Sequence, residues 1–198
     1  MMQPALPERA RALLEFWFGP PGDPEREDHR PIWFKSTPEH DEMLRGLFLA
    51  DHERAASGAF DTWEASAESA LALLLLLDQI PRNIFRDTPR AYATDAAALA
   101  AANRALARGF DRQFPAAWRK FFYMPFHHSE NLADQHRATA LTASLPDDRD
   151  RRGGLGRYGL PYLEVIERFG RFPHRNTILG RVSTPEEIAF MEKAPQSS

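Results

Sequence analysis

The chain contains no cysteine, and this absence removes several kinds of chemistry. Disulfide bridges, thiolate nucleophiles and zinc or iron–sulfur sites built on cysteine are all excluded. Long apolar runs are also missing: the longest covers residues 70–77, far short of the roughly 18 residues that a membrane span needs. The N-terminal residues lack the basic region, apolar stretch and cleavage site of an export signal. We therefore expect a cytoplasmic protein that contacts no membrane.

Lysine is scarce as well, with 3 lysines against 22 arginines. Arginine binds carboxylates and phosphates through paired hydrogen bonds, which lysine cannot do. A GC-rich genome also produces many arginines, and we interpret the total in that way, although not the arginines of the motifs below. The net charge of −3 at pH 7 is opposite in sign to that of most non-specific nucleic-acid binders, so no nucleic-acid partner is expected.

The composition predicts an all-α fold, because β-branched residues are few, alanine and leucine abound, and no alternating strand pattern is present. About eight helices with short connections indicate one array of antiparallel helices. The apolar run of residues 70–77 predicts a buried central helix. The predicted organisation is a single domain over residues 1–198, with an N-terminal helix (7–19), a proline-rich connection (20–37), a main helical array (38–193) and a frayed tail (194–198).

Local signals predict where several helices begin and end. Thr37 before Pro38 is a typical N-cap, and Ser129 is interpreted as another. Ser183 and Glu186 have the spacing of a capping box. Residues 147–156, which are rich in arginine, aspartate and glycine, predict an exposed loop.

Three segments share one pattern: a helical stretch, then an apolar residue and a proline, then a cluster of polar residues. They are LDQIPRNIFR (77–86), FFYMPFHHSEN (121–131) and RFGRFPHRN (168–176). The prolines at positions 81, 125 and 173 are 44 and 48 residues apart, near the period of two-helix repeats. Proline interrupts helical hydrogen bonding, so we expect each helix to break where the polar residues gather. If these breaks lie at comparable ends of successive hairpins, the clusters converge on one surface.

The first segment spaces Asp78, Arg82 and Arg86 four residues apart, which places them on one helix face. One interpretation is an anion site, in which Asp78 orients the two guanidinium groups and Asn83 adds a neutral donor. The other interpretation is an internal ion network that only locks the helix break.

The third segment offers a similar choice. Arg171, Arg175 and Asn176 surround Pro173, which leaves backbone N–H groups available for a phosphate or carboxylate. In the alternative interpretation, the arginines cap the carbonyl groups of the helix that ends at Gly170.

The second segment has the most varied chemistry. His128 and Glu130 could form a pair of metal ligands, or a base with the group that orients it, and His174 or Asp78 could complete the set. No HExxH motif is present, so we assign no metal and no cofactor. In the alternative, Ser129 caps a helix and Glu130 only interacts with its positive end.

The three proline segments, EFWFG near the start, ILGR after the third segment and STPEE near the end resemble the bacterial domain of unknown function 924 family. The resemblance covers most of the chain. It implies an all-α fold similar to tetratricopeptide-like helical arrays, and it implies no activity. In one departure, Tyr162 stands about where the family is expected to have a histidine.

Together these features predict a helical array that binds a small anionic ligand or an acidic peptide in a groove. The ligand-binding candidates are Arg82, Asn83, Arg86, Arg171, Arg175 and Asn176. Two alternatives remain open. One is a metal-dependent or acid–base hydrolase, whose candidate catalytic residues are Asp78, His128, Glu130 and His174. The other is a purely structural role for the polar clusters. The sequence predicts no particular oligomeric state.

Overall fold

A computed structural model describes residues 5–34, 37–146 and 161–193, and within these ranges the fold is all-α, as predicted. The predicted loop 147–156 and tail 194–198 lie outside the described residues. The helices are α1 (Glu8–Phe18), α2 (Pro38–Ala56), α3 (Ala67–Leu74, the π turn Leu75–Gln79 and Ile80–Ile84), α4 (Asp95–Ala107), α5 (Ala116–His127), α6 (Leu132–Ala143), α7 (Tyr162–Phe169) and α8 (Pro185–Lys193). Short 3₁₀ turns lie at Pro31–Phe34, Asp61–Ala65, Pro89–Tyr92, Asp111–Gln113 and Pro173–Arg175.

The core is built around α3, whose residues 70–77 are all buried, as the apolar run predicted. Aromatic side chains of α1 and α5 pack together beside it. Phe18 stacks on Trp118 with ring centroids 3.9 Å apart, and Trp17 meets Phe121 edge to face at 5.9 Å. In the described part of the chain, no helix combines the length and apolar composition that crossing a membrane requires.

Most helix boundaries follow the local sequence signals. Thr37 caps α2, since its hydroxyl accepts a hydrogen bond from the backbone N–H of His40 at 3.3 Å. Helix α1 ends at Gly19, which has a φ of 95° that residues with a Cβ rarely adopt. Gly170 ends α7 in the left-handed helical conformation, with a φ of 65°.

Two predicted caps are wrong by a small shift. Asn131, not Ser129, caps α6, because its Oδ1 accepts from the N–H of Ala133 at 2.9 Å while the Ser129 hydroxyl donates to a side chain. At α8 the capping box joins Thr184 and Glu187. The Glu187 N–H donates to Thr184 Oγ1 at 3.2 Å, and Glu187 Oε2 accepts from the Thr184 N–H at 2.7 Å.

The first two prolines lie inside helices, so the expected breaks at Pro81 and Pro125 are wrong. In α3 a π turn precedes Pro81, and this wider turn gives the proline ring room. Proline has no N–H to offer the carbonyl groups one turn earlier. Instead, the Leu76 carbonyl accepts from His52 Nδ1 at 2.8 Å, and the Leu77 carbonyl accepts from Thr94 Oγ1 at 2.6 Å. Side chains of neighbouring elements thus compensate the proline, and the helix continues.

Candidate functional site

All three proline segments contribute to one open cleft with a volume of 180 Å³. Arg82 and Arg86 come from the first segment, His128 from the second, and His174 and Arg175 from the third. The remaining lining residues are Asp87, Ala91, Tyr92 and Tyr162. Five of the ten sequence-predicted site residues therefore line the same cleft, and Asp78 lies directly behind them through its contacts with His128 and Arg82.

Asp78 is the buried acceptor beneath the cleft, with 1% of its surface exposed. Its carboxylate accepts from Gln79 Nε2 at 2.6 Å and from Arg82 Nη2 at 3.3 Å, and His128 Nδ1 lies 2.7 Å away. Burial alone would raise the pKa of this carboxyl group, but the neighbouring His128 and Arg82 outweigh burial and hold the pKa far below its usual value. Asp78 is therefore a carboxylate.

The ionised state of Asp78 fixes the proton on the His128 ring. Nδ1 lies between an acceptor, Asp78 Oδ1 at 2.7 Å, and a donor, the Arg82 Nε–H at 3.1 Å. If Nδ1 lacked a proton, its lone pair would face the carboxylate oxygen at the shorter distance, which is repulsive. Nδ1 therefore donates to Asp78. Burial, together with the positive charge of Arg82, lowers the pKa of His128, so the ring is neutral and Nε2 carries a lone pair.

Two guanidinium groups share the next carboxylate. Asp95, at the start of α4, accepts from Arg82 Nη2 at 2.8 Å and from Arg175 Nη1 at 3.5 Å. The Tyr92 ring lies against both, with centroid distances of 5.5 Å to Arg82 and 4.6 Å to Arg175. Two like charges are thus held side by side on one carboxylate and one aromatic ring.

Arg175 is the less satisfied of the two. Its side chain is 7% exposed, and its buried Nε makes no hydrogen bond to any described residue. Burial, followed by repulsion from Arg82, lowers the pKa of Arg175, whereas Asp78 and Asp95 outweigh the effect of burial on Arg82 and raise its pKa. The cleft therefore holds one well-compensated arginine and one whose donors are largely unused.

Arg86 lies at the outer edge of the cleft, where Asp41 of α2 binds it through two hydrogen bonds of 2.7 and 2.9 Å. Asn83 supports Arg86 rather than lining the cleft. Its Oδ1 accepts from Arg86 Nη2 at 3.1 Å, and its Nδ2 donates to the Gln79 carbonyl at 3.1 Å.

The other candidates are engaged away from the cleft. Glu130 accepts from Arg181 at 2.7 and 3.0 Å and from the Phe172 N–H at 2.8 Å. Arg171 binds Glu187 at 2.6 and 2.9 Å, and Asn176 donates to the same carboxylate at 3.2 Å. These contacts fasten the third segment to α8 and to the second segment. Within residues 5–34, 37–146 and 161–193, no three His, Asp or Glu side chains form a group that could hold a metal ion.

Tyr162, at the position where a histidine was expected, lies over the second segment. Its ring centroid is 5.5 Å from that of His127, 6.1 Å from that of His128 and 5.6 Å from that of Phe172. Burial raises the pKa of Tyr162, so the phenol stays protonated. Tyr162 therefore lines the cleft as an uncharged aromatic side chain.

His127, behind Tyr162, makes stability depend on pH. Burial and the adjacent His128 lower the pKa of His127 to about 4, and its Nε2 is paired with Thr142 Oγ1 at 2.8 Å. The unfolded chain, with an ordinary histidine pKa of about 6.5, binds this proton more readily, so stability falls as the pH drops between these values. We expect this group to lower the free energy of unfolding by on the order of 2 kcal/mol between pH 7 and pH 5.

Urea unfolding at several pH values between 7 and 5 measures this dependence. His127→Gln is expected to reduce the slope of the free energy of unfolding against pH over this interval. His136→Gln is the matched control, because His136 is exposed on α6. An equal slope in wild type and His127→Gln would contradict the assignment.

The family comparison matches residues 13–195 to bacterial proteins of unknown function, DUF924. The chain belongs to the DUF924 family. A solved structure of a protein of unknown function from Agrobacterium tumefaciens is 39% identical, has a TM-score of 0.80, and aligns over 93% of this chain and 97% of the other. A comparison with curated proteins gives no match. DUF924 membership therefore establishes the relationship and the fold but no reaction.

Sequence reasoning missed Tyr92, Asp87 and Asp95 in this DUF924 chain. Asp95 follows Thr94 at the start of a helix, where an acidic residue is ordinary. Its two arginine partners are 13 and 80 residues away, so no local pattern pointed to it. The proline in TPRAY, which predicts a turn close to the first segment, was the one available signal for Tyr92.

Proposed function

We propose that the cleft binds a small anion, a phosphate or a carboxylate, through Arg175 and Arg82. The observation that carries the proposal is that the buried Arg175 side chain has few hydrogen-bond partners. A guanidinium group has five N–H donors, and burying them unpaired is unfavourable. Here the side chain is 7% exposed, Nε has no partner among the described residues, and the contact with Asp95 is as long as 3.5 Å. The oxygens of a bound anion would pair with the Arg175 donors that reach the cleft, whereas Nε is enclosed by the protein.

Hydrogen bonds from the arginines, rather than an excess of positive charge in the cleft, would hold the anion. Within the inner cluster, Arg82 and Arg175 balance Asp78 and Asp95 in formal charge. A bound anion would also reduce the repulsion between the two guanidinium groups, which share one carboxylate. Charge-assisted hydrogen bonds of this kind are about twice as strong as neutral ones.

The size of the cleft favours a small molecule over an acidic peptide. Its volume of 180 Å³ lies below the roughly 300–1,000 Å³ of sites that hold drug-sized ligands. The two tyrosines and Ala91 give it an apolar side that suits a short carbon skeleton attached to the anion.

Arg175→Gln is expected to weaken the binding of inorganic phosphate about tenfold or more, because a hydrogen bond to a charged group contributes about 1.5–3 kcal/mol. Isothermal titration calorimetry at low ionic strength measures this difference. Arg168→Gln is the matched control, since Arg168 is half exposed on α7 and pairs with Glu186 away from the cleft. Equal phosphate affinity in Arg175→Gln and wild type, or no binding by wild type, would overturn the proposal.

The acid–base hydrolase remains a second candidate because of the pairing of Asp78 with His128. A neutral imidazole oriented by a buried carboxylate is the arrangement of a general base. His174 lines the same cleft, whereas Glu130 is ion-paired with Arg181 outside it. A cytoplasmic location and a tetratricopeptide-like order of the helices stay predictions from the sequence.

A further inference from the structure

We propose that the ligand of the cleft is an anion that also carries a hydrogen-bond donor, and that His128 Nε2 accepts from that donor. Hydrogen phosphate, a singly protonated phosphate monoester and a hydroxy acid belong to this class. Sulfate and simple carboxylates do not. The inference rests on the proposed function, since it specifies which anions the cleft selects.

The first step of the argument is the direction of the hydrogen bond at His128 Nδ1. Asp78 Oδ1 lies 2.7 Å from Nδ1, and Asp78 is itself held in place by Gln79 at 2.6 Å. An ionised carboxylate can only accept, and it lies closer to Nδ1 than the Arg82 Nε–H donor at 3.1 Å, so we assign the Nδ1 proton to the bond with Asp78. A neutral imidazole has one N–H, and Nε2 is therefore an acceptor.

The second step is that this acceptor is available to a ligand. The His128 ring lines the cleft, and Nε2 makes no hydrogen bond to any described residue. Nε2 is not fully enclosed by the protein, so it keeps contact with solvent. The ring as a whole is 7% exposed on its side-chain surface, so an unmatched contact at Nε2 is costly.

The third step is the arrangement of donors around this acceptor. The cleft presents the unused donors of Arg175 beside Arg82, whose three nitrogens already contact His128, the Ala91 carbonyl, Asp78 and Asp95. Asp78 keeps His128 Nε2 as an acceptor next to these donors. An anion with only acceptor oxygens would satisfy the arginines and place a lone pair against Nε2. An anion with one O–H would satisfy both. Sites of this kind reject ligands that lack the matching hydrogen.

Phosphate and sulfate test this inference directly, because both are tetrahedral anions and only hydrogen phosphate carries an O–H at neutral pH. In calorimetric titrations we expect the affinity of the wild-type protein for phosphate to exceed its affinity for sulfate by about tenfold or more. Equal affinities for the two anions would overturn the inference and leave the anion-binding proposal intact. Loss of both affinities in Arg175→Gln supports the site itself, so the two failures are distinguishable.

Asp78→Asn tests the role of the carboxylate. With a neutral amide at position 78, Nδ1 can accept from Arg82 Nε at 3.1 Å, and the proton then moves to Nε2. The preference for phosphate is expected to disappear or to reverse in favour of sulfate. An unchanged preference in a folded Asp78→Asn protein would contradict the mechanism.

His128→Phe provides a second variant if Asp78→Asn does not fold. It removes Nε2 while keeping an aromatic ring. Phosphate then loses its acceptor and sulfate loses the repulsive lone pair, so the two affinities should become equal. Long-range proton–nitrogen NMR of wild type gives an independent readout, with Nδ1 protonated and Nε2 shifting on addition of phosphate. A spectrum with Nε2 protonated in the free protein would overturn the inference.

Discussion

Replacing Asp78 by alanine is expected to lower the free energy of unfolding by about 3–5 kcal/mol. Asp78 is 1% exposed and is the shared acceptor of Arg82, His128 and Gln79. Its removal leaves a largely buried guanidinium group with Asp95 as its remaining carboxylate, and it leaves the His128 N–H without an acceptor. Removing one partner of a buried ionic cluster costs more than the interaction contributes, because the other partner stays desolvated.

Chemical denaturation of Asp78→Ala and wild type measures the loss. Glu53→Ala is the matched control, because Glu53 pairs with Arg90 at 3.2 Å and both side chains are more than half exposed. An exposed pair contributes about 0–1 kcal/mol, so the control should remain near wild type. A loss in Asp78→Ala no larger than in the control would show that the cluster does not hold the three segments together.

Replacing Glu187 by alanine is expected to lower the free energy of unfolding by about 2–4 kcal/mol. Glu187 is 2% exposed and accepts from the Asn176 side chain at 3.2 Å and from the Thr184 N–H at 2.7 Å, in addition to Arg171. Asn176 is completely buried and would lose an acceptor, and α8 would lose its capping box.

Glu186→Ala is the control for this second prediction, since the neighbouring Glu186 is exposed and pairs with Arg168 at the surface. Thermal unfolding of both variants gives the comparison. The phosphate affinity of Glu187→Ala separates the roles in the third segment. If Arg171 and Asn176 are structural, affinity in the folded protein stays within about threefold of wild type, a difference of less than 1 kcal/mol.

Contacts encoded by local spacing could be predicted from the sequence. Asp78 and Arg82, four residues apart, do form an ion pair, at 3.3 Å. The expected convergence of the three segments is also found, with Arg82, His128 and Arg175 on one cleft. These features follow from the helical repeat and from a pattern that recurs along the chain.

Partners that are distant in sequence could not be predicted. Spacing alone does not reveal that Glu130 binds Arg181, 51 residues away, or that Arg86 binds Asp41, 45 residues away. The carboxylates of these pairs decide which arginines keep unused donors. Arg171 binds Glu187 and does not line the cleft, contrary to the prediction. Arg175 lines the cleft and keeps unused donors, because its carboxylate partner Asp95 is 3.5 Å away and is shared with Arg82.

The π turn at Leu75–Gln79 decides which residues of α3 face the cleft. A π turn contains one residue more than the α turn it replaces, and each helical residue advances about 100° around the axis. If the same residues formed a regular α-helix, Arg82 and Arg86 would be rotated by about 100° relative to the buried leucines before them. The wider turn absorbs the extra residue, so the leucines before it stay in the core while Arg82 and Arg86 after it reach the cleft.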